Sequence, residues 1–184
     1  MRRIIMVSHC ILNTASKVDL YDTASIEAEE ALRIRFLSKA VESGIQIIQL
    51  PCPEFSLYGT NRWGNVSSQF DNPFFRSHCE TILAPVILQL KEYLSHHDKF
   101  EVLGVVGIDG SPSCGVDLTC YGEWGGELSS RDDIMCVIQS VQMGRGNGVF
   151  IDVLRQMLAK EKIELNIVGL NAEQPEKVME LIKK

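Results

Sequence analysis

The sequence contains no apolar run long enough to cross a membrane. No stretch of about eighteen or more uninterrupted apolar residues occurs in the 184 residues. The amino terminus passes from Met1-Arg2-Arg3 into a short apolar segment that ends in polar residues, without the long apolar region and cleavage site of a signal peptide. We therefore expect a cytoplasmic protein that does not bind a membrane.

The sequence also lacks a basic cluster and an excess of positive charge. Its 18 lysines and arginines are scattered and stand against 24 acidic residues, for a net charge of −6. This disfavours binding to nucleic acid through the phosphate backbone. A small molecule is the expected partner, and a homo-oligomer is compatible with the sequence.

Internal repeats, low-complexity tracts and linkers are absent as well. The 184 residues therefore predict a single domain, 1–184, large enough to fold without disulfides or a structural metal. A metal in such a domain is expected to be functional.

Apolar segments alternate with helical patterns along the chain. Strands are predicted near residues 4–10, 45–50, 102–108 and 165–170, and helices at 25–42, from 73 with Pro85 as a kink or break, from 149, and at 175–183. Residues 121–126 suggest a loop or hairpin, and 134–143 fit a strand or a helix. The predicted fold class is α/β: a three-layer α/β/α domain with a mainly parallel sheet of four or five strands.

Three of the six cysteines follow predicted strands. Cys10, Cys52 and Cys114 each come at the carboxyl end of an apolar run, beside turn-forming residues. Neighbouring parallel strands lie about 4.8 Å apart, so their ends can bring three sulfurs around one centre. No Cys-x-x-Cys pair occurs, and in a reducing compartment a disulfide framework is not expected.

Thiolates are soft ligands that suit iron–sulfur clusters and zinc. Cys10, Cys52 and Cys114 could hold a zinc ion with an open position, or a [4Fe-4S] cluster with one iron not bound by protein. The alternative is three unrelated buried cysteines. Cys79 and Cys136 fit core positions, and Cys120 could be a fourth ligand, a sulfur acceptor or a passive loop residue.

Acid–base and polar groups surround these cysteines in the sequence. Glu54 is a candidate general acid or base, or a carboxylate that shapes the turn, and the hydroxyls of Ser111 and Ser113 could bind substrate or stabilise the turn. Asp109, at the end of a predicted strand, is a further acid candidate, with a helix cap or a turn as its alternative role. His9, beside Cys10, could pair with a thiolate or be a structural histidine, and weaker candidates for the wall of the site are Asn13, Asp22 and Arg62.

Two other segments could contribute to the site. Residues 53–72 are expected to form a covering loop, in which Tyr58 or Trp63 could stack on a planar ligand or clamp the core. The amino terminus of the helix from 149 is expected to have free N–H groups that could receive an anionic or carbonyl-bearing ligand.

Four motifs are similar to those of the thiouracil desulfidase family, in the same order and over most of the chain. They are Ser8-x-Cys10-Ile11-Leu12-Asn13, Cys52-Pro53-Glu54, Ser111-Pro112-Ser113-Cys114-Gly115 and Gly146-x-Gly148-Val149. His9 stands where the family has a small residue, and the stretches after Cys10 and after Glu54 also differ. The chain thus resembles a divergent branch of that family.

The resemblance implies a [4Fe-4S] cluster held by Cys10, Cys52 and Cys114, with a fourth iron free to bind the sulfur of a thiolated heterocycle such as 2-thiouracil. It implies a hydrolase or lyase reaction in which that sulfur is removed as hydrogen sulfide without net redox change. We predict that the attacking water is helped by Glu54, Ser111 or Ser113. Two other functions fit the residues: a non-catalytic metal or iron–sulfur protein, and a hydrolase with Cys114 as nucleophile near backbone N–H groups.

Overall fold

A computed structural model describes residues 1–183 and contains six strands, eight α-helices and one 3-10 turn among them. Residue 184, the last of the predicted domain, lies outside the described residues. The strands are β1 (Arg2–Val7), β2 (Gln46–Gln49), β3 (Phe100–Ile108), β4 (Leu118–Tyr121), β5 (Gln142–Arg145) and β6 (Ile167–Leu170). The helices are α1 (His9–Leu12), α2 (Thr23–Glu42), α3 (Pro53–Tyr58), α4 (Ser67–Phe70), α5 (Pro73–Ser95), α6 (Ile134–Gln139), α7 (Val149–Lys160) and α8 (Glu176–Leu181), with the 3-10 turn at Thr14–Ser16.

Four strands form one parallel sheet in the order β2-β1-β3-β6. Its central strand β1 reads as a continuous apolar run because both of its faces are buried. Ile5 and Val7 pack into one core and Met6 into the other, as the alternation of a strand requires. Since Val7 pairs with Gln49 and with Val106, strands β2, β1 and β3 end close to one rim of the sheet.

Helices cover both faces of this sheet. Helix α2 contributes Leu32 and Phe36 to the core on one face, and α8 adds Val178. On the other face α5 and α7 pack together, with Leu83 and Phe150 fully buried. The predicted three-layer α/β/α architecture is confirmed, with four strands in the main sheet.

The region from 116 to 146 contains a second, two-stranded sheet. Strands β4 and β5 pair antiparallel, with Leu118 opposite Arg145. Residues 134–143 contain both predicted states, because α6 occupies 134–139 and β5 begins at 142. Cys136 is exposed on α6, so its predicted core position is wrong: only Val137 of this short helix is buried.

Helix α5 is continuous through Pro85, so the predicted break does not occur. A proline removes one backbone hydrogen bond from a helix, and the long buried face of α5 offsets that loss. Cys79 lies on this face with 0% exposure, as predicted.

Among residues 1–183, no helix combines the length and apolar character needed to span a membrane.

Candidate functional site

Cys10 lies just beyond the end of β1. The strand ends at Val7, and a short helix begins at His9, so Cys10 is helical rather than the last residue of a strand. Cys10 is partly buried and packs against the core on the α2 face.

Cys52 is the N-cap residue of α3. Its Sγ accepts a hydrogen bond from the backbone N–H of Phe55 at 3.3 Å, and Pro53 occupies the first turn of the helix. A helix N-terminus favours negative charge on a capping group, which here is a sulfur. Because α3 runs to Tyr58, the irregular loop begins later than predicted.

Cys114 lies in a turn after β3 that two side chains hold in shape. Asp109 Oδ1 accepts the backbone N–H groups of Val116 and Asp117 at 3.0 and 2.9 Å. Ser111 Oγ accepts the backbone N–H of Cys114 at 3.0 Å. Asp109 and Ser111 therefore have the turn-forming role that was one of their two interpretations.

The amino terminus of α7 supports the same turn. Val149 N–H donates to the Pro112 carbonyl at 3.1 Å and Phe150 N–H to the Ser113 carbonyl at 3.0 Å. These N–H groups are therefore not free for a ligand, and that prediction is wrong. Gly148 permits the contact: a Cβ there would lie 2.5 Å from the Ser113 carbonyl oxygen and 2.9 Å from the Cys114 nitrogen.

The thiols of Cys10, Cys52 and Cys114 influence one another electrostatically. Burial raises the pKa of Cys114 well above its usual range, and negative charge on Cys10 or Cys52 raises it further. Burial raises the pKa of Cys10 to about 12, with Lys17 lowering it and Cys52 raising it. The strands that precede these three cysteines, β1, β2 and β3, end close to one rim of the sheet.

Burial also raises the pKa of Cys52, while the Phe55 N–H opposes that rise. Cys114, at 6% exposure, packs into the core on the α5 face of the sheet, opposite the core that Cys10 contacts. The cysteines thus lie at the carboxyl end of the sheet, with Cys10 packed against the core on one face and Cys114 against the core on the other. Each of the three thiols would lose its proton on binding a metal cation.

Glu54 connects this region to the covering segment. Its Oε1 accepts the Ser113 hydroxyl at 2.5 Å and its Oε2 accepts Arg62 Nε at 3.3 Å. The ion pair is well buried, with the side chains of Arg62 and Glu54 5% and 12% exposed. Ser113 Oγ is also 3.6 Å from Cys114 Sγ, so carboxylate, hydroxyl and sulfur form one contact chain.

The segment after α3 is tied down by Arg62. Its guanidinium donates to the carbonyls of Ser16 at 2.6 Å and Gly59 at 3.0 Å as well as to Glu54. Tyr58 stacks on Phe70 with ring centroids 6.0 Å apart, as expected of a clamp on the core. Trp63 is 77% exposed and does not pack on the core.

Cys120 lies on β4 and is buried, with its Sγ 3.5 Å from the Asn65 carbonyl. Burial raises the pKa of Cys120, and negative charge on Glu54 raises it further.

Among residues 1–183, no three His, Cys, Asp or Glu side chains are arranged to hold one metal ion. A separate polar cavity near α7 is lined by Asp71, Arg76 and Asp152, and its arginine is paired with both aspartates.

The sequence carries only weak signals for Arg62 and Ser8, two residues near the three cysteines. Arg62 was expected only as a wall residue, and its pairing with Glu54 depends on a fold of the loop that the sequence does not specify. Ser8 stands two residues before Cys10 at the strand end, and that position was the available signal for a side chain at the rim.

The fold and the rim define a three-layer α/β protein with three thiols and a carboxylate–hydroxyl pair at the carboxyl edge of its sheet. The chain is 34% identical over 115 residues to uncharacterized protein MJ0003 of Methanocaldococcus jannaschii, across 62% of this chain and 69% of that protein. The chain therefore belongs to the same family as MJ0003. No family model matches the chain, and no solved structure matches it.

Proposed function

We propose that this protein is a desulfidase that removes sulfur from a thiolated heterocycle such as 2-thiouracil, with a [4Fe-4S] cluster held by Cys10, Cys52 and Cys114. The observation that carries the proposal is the buried Glu54–Ser113 pair in contact with Cys114, at the rim where the strands that precede all three cysteines end. The similarity to desulfidase motifs supplies the reaction class.

The three cysteines suit a soft metal centre. Thiolates are ligands of iron–sulfur clusters, and Cys52 already receives a backbone N–H that would stabilise its thiolate. Zinc remains the alternative, and it requires its thiolates at about 2.3 Å from one point. A cluster instead takes each thiolate on a different iron. When bound, a cluster with three protein ligands supplies an iron that acts as a Lewis acid toward sulfur or oxygen.

Glu54 and Ser113 are assigned the proton transfers. Replacement of a C=S sulfur by the oxygen of water requires two protons to move from water to the departing sulfide. The Glu54 carboxylate accepts the Ser113 hydroxyl at 2.5 Å, so a water bound at this hydroxyl could pass its proton toward Oε1. Arg62 holds the other oxygen of the carboxylate and is a positioning residue.

Ser111, the third predicted catalytic residue, binds the backbone of the turn after β3. Its hydroxyl accepts the N–H groups of Ser113 and Cys114, so it fixes the turn that carries them. The nucleophile alternative for Cys114 is less compatible with this arrangement, because a buried thiol with a raised pKa is a weak nucleophile.

The test is sulfide release from 2-thiouracil by protein purified and reconstituted without oxygen. We expect sulfide and uracil in equal amounts, with no reductant or oxidant consumed. A cluster-loaded protein that releases no sulfide from 2-thiouracil or related thio-heterocycles would contradict the proposed activity and favour a non-catalytic iron–sulfur protein. Full activity in metal-free Cys10→Ser and Cys52→Ser proteins would favour the Cys114 hydrolase.

A further inference from the structure

The outer edge of strand β5 has unpaired backbone groups. Gly146 N–H donates at 3.0 Å to Asp117, the residue opposite it when the β4–β5 register is extended by one position. Bonded and non-bonded pairs alternate along an antiparallel ladder, so the N–H and C=O groups of Met143 and Arg145 point away from β4. The Arg145 carbonyl accepts the Tyr121 hydroxyl at 3.3 Å, and the other groups of these two residues have no hydrogen-bond partner among residues 1–183.

The far edge of β4, in contrast, is bonded to the rest of the domain. Gly110 N–H donates to the Leu118 carbonyl at 3.0 Å, and Asp109 Oδ1 accepts the Leu118 N–H at 3.3 Å. Ser67 Oγ donates to the Cys120 carbonyl at 2.8 Å. β5 is therefore the open edge of a two-stranded sheet. Such a small sheet is marginal in water, and an open edge is a template for a further strand.

Exposed apolar side chains accompany this edge. In α6, which directly precedes β5, only Val137 is buried. Met135 and Ile138 on this helix are 59% and 45% exposed, and Val141 and Met143 after it are 40% and 65% exposed. A stable dimer needs about 800 Å² from each partner, which four residues of strand do not provide. Apolar surface beside an open strand is what an interface would add.

The backbone of β5 is complementary to itself. When two copies of β5 run antiparallel about a two-fold axis at Gly144, Met143 lies opposite the partner's Arg145. All the outward N–H and C=O groups of both residues are then bonded. Gly144 lies opposite the partner's Gly144 in the closer, non-bonded kind of pair, where no side chain obstructs the approach. No like charges face each other, and a two-fold contact closes the assembly at two copies.

We propose that the protein is a homodimer in which β5 pairs antiparallel with β5 of a second copy. The two hairpins then form one four-stranded sheet, in the order β4-β5-β5-β4. A second copy is the occupant that this edge fits, because the register that satisfies β5 is symmetric. The same apolar residues of α6 then come from both copies. The inference does not depend on the desulfidase activity.

The experiment is sedimentation equilibrium of the purified full chain over a range of concentrations. The wild type should have twice the chain mass of 20.6 kDa. Met143→Pro removes an N–H that faces away from β4, a position where an edge strand tolerates proline, and this variant should have the mass of one chain. Met143→Thr is the control, since it changes the same side chain, keeps the N–H and should remain a dimer.

A pair of charged variants tests the register. Met143→Arg would oppose two arginines at each of the two equivalent contacts, and the dissociation constant should rise about tenfold. Met143→Glu would oppose a glutamate to Arg145 and should dissociate no more readily than the wild type. The net charge of −6 alone would predict the reverse order, because the arginine lowers the repulsion between copies. Adding Arg145→Glu to Met143→Arg should restore the dimer.

Three results would overturn the inference. They are a wild type that stays a single chain at all concentrations, a dimer that Met143→Pro leaves intact, and equal dissociation constants for Met143→Arg and Met143→Glu. If circular dichroism shows that Met143→Pro is unfolded, the comparison of the two charged variants decides. A dimer with the expected order of dissociation constants that releases no sulfide would support this inference and reject the proposed activity.

Discussion

Glu54 is the residue on which the proposed proton transfers depend. Both of its carboxylate oxygens are used, one by the Ser113 hydroxyl and one by Arg62. The pair with Arg62 is buried, so removal of either partner would leave a charge without compensation. A substitution that keeps the shape and removes only the ionisable group is therefore the informative one.

Glu54→Gln should lower the rate of sulfide release by about 10²- to 10⁴-fold, the usual contribution of a positioned acid–base group. The glutamine carbonyl can still accept the Ser113 hydroxyl, and Arg62 keeps its bonds to the Ser16 and Gly59 carbonyls, so the iron content should not change. The measurement is the turnover rate together with iron per chain, and Glu164→Gln, at an exposed position, is the matched control. A rate equal to that of the wild type would remove Glu54 from the mechanism.

The sequence predicts which strand ends lie close together but not which side chains there contact each other. Glu54 and Ser113 are 59 residues apart, and their contact depends on strands β2 and β3 both ending near the same rim. The rule that parallel strands end together predicts this neighbourhood but not which hydroxyl faces the carboxylate. Ser111 and Ser113 are equivalent in the sequence, and only the turn geometry directs Ser111 to the backbone and Ser113 to Glu54.

At the scale of elements, the turn after β3 and the start of α7 form one unit. The first N–H groups of α7 donate to the carbonyls of Pro112 and Ser113, so the helix fixes the turn that carries Cys114. Sequence periodicity predicts α7 itself, because its buried residues recur at helical spacing. It cannot predict the partners of the helix terminus, which come from a distant turn.

Gly148→Ala should displace this turn. The added Cβ would meet the Ser113 carbonyl oxygen and the Cys114 nitrogen, which are backbone atoms that cannot rotate away. We expect a loss of about 1 to 3 kcal/mol in the free energy of unfolding, typical of overpacking, and weaker iron retention. Chemical denaturation and iron counting measure the two effects.

Gly64→Ala is the control for that substitution. No atom lies within 4 Å of a Cβ built at Gly64, so this variant should unfold and bind iron as the wild type does. Equal stability of the Gly148 and Gly64 variants would show that the turn does not depend on close contact with α7.

At the scale of the whole molecule, two cores lie on opposite faces of the sheet. The α5 face contains Cys79, a fully buried thiol on helix α5. Burial raises the pKa of Cys79 from 9.0 to about 12. The folded protein therefore favours the neutral thiol, and the associated stability is fully present below pH 9 and is lost as the pH rises toward 12.

Cys79→Ala should remove this pH dependence. Near neutral pH it should cost about 1 kcal/mol for the lost packing, and that cost should shrink above pH 9, with a limiting slope of about 1.4 kcal/mol per pH unit. Urea unfolding of both proteins between pH 7.5 and about pH 10.5 measures the difference. The exposed Cys136→Ala variant is the control, and a cost that stays constant with pH would contradict the buried-thiol account.

The architecture as a whole was predictable because buried parallel strands and amphipathic helices have distinct apolar patterns. The segment 118–145 was not, since its short elements place few residues in a core and its pattern fits two states. Their shared position at the strand ends predicts that the three cysteines form one group, but spacing alone does not define which metal such a group would bind.

Iron and sulfide counting on the anaerobically reconstituted protein tests the central claim most directly. The wild type and the exposed-cysteine variant Cys136→Ser should each contain about four irons and four sulfides per chain. Each of the single variants Cys10→Ser, Cys52→Ser and Cys114→Ser should lose them. A wild type without iron, or full iron in any one of those three variants, would contradict the account.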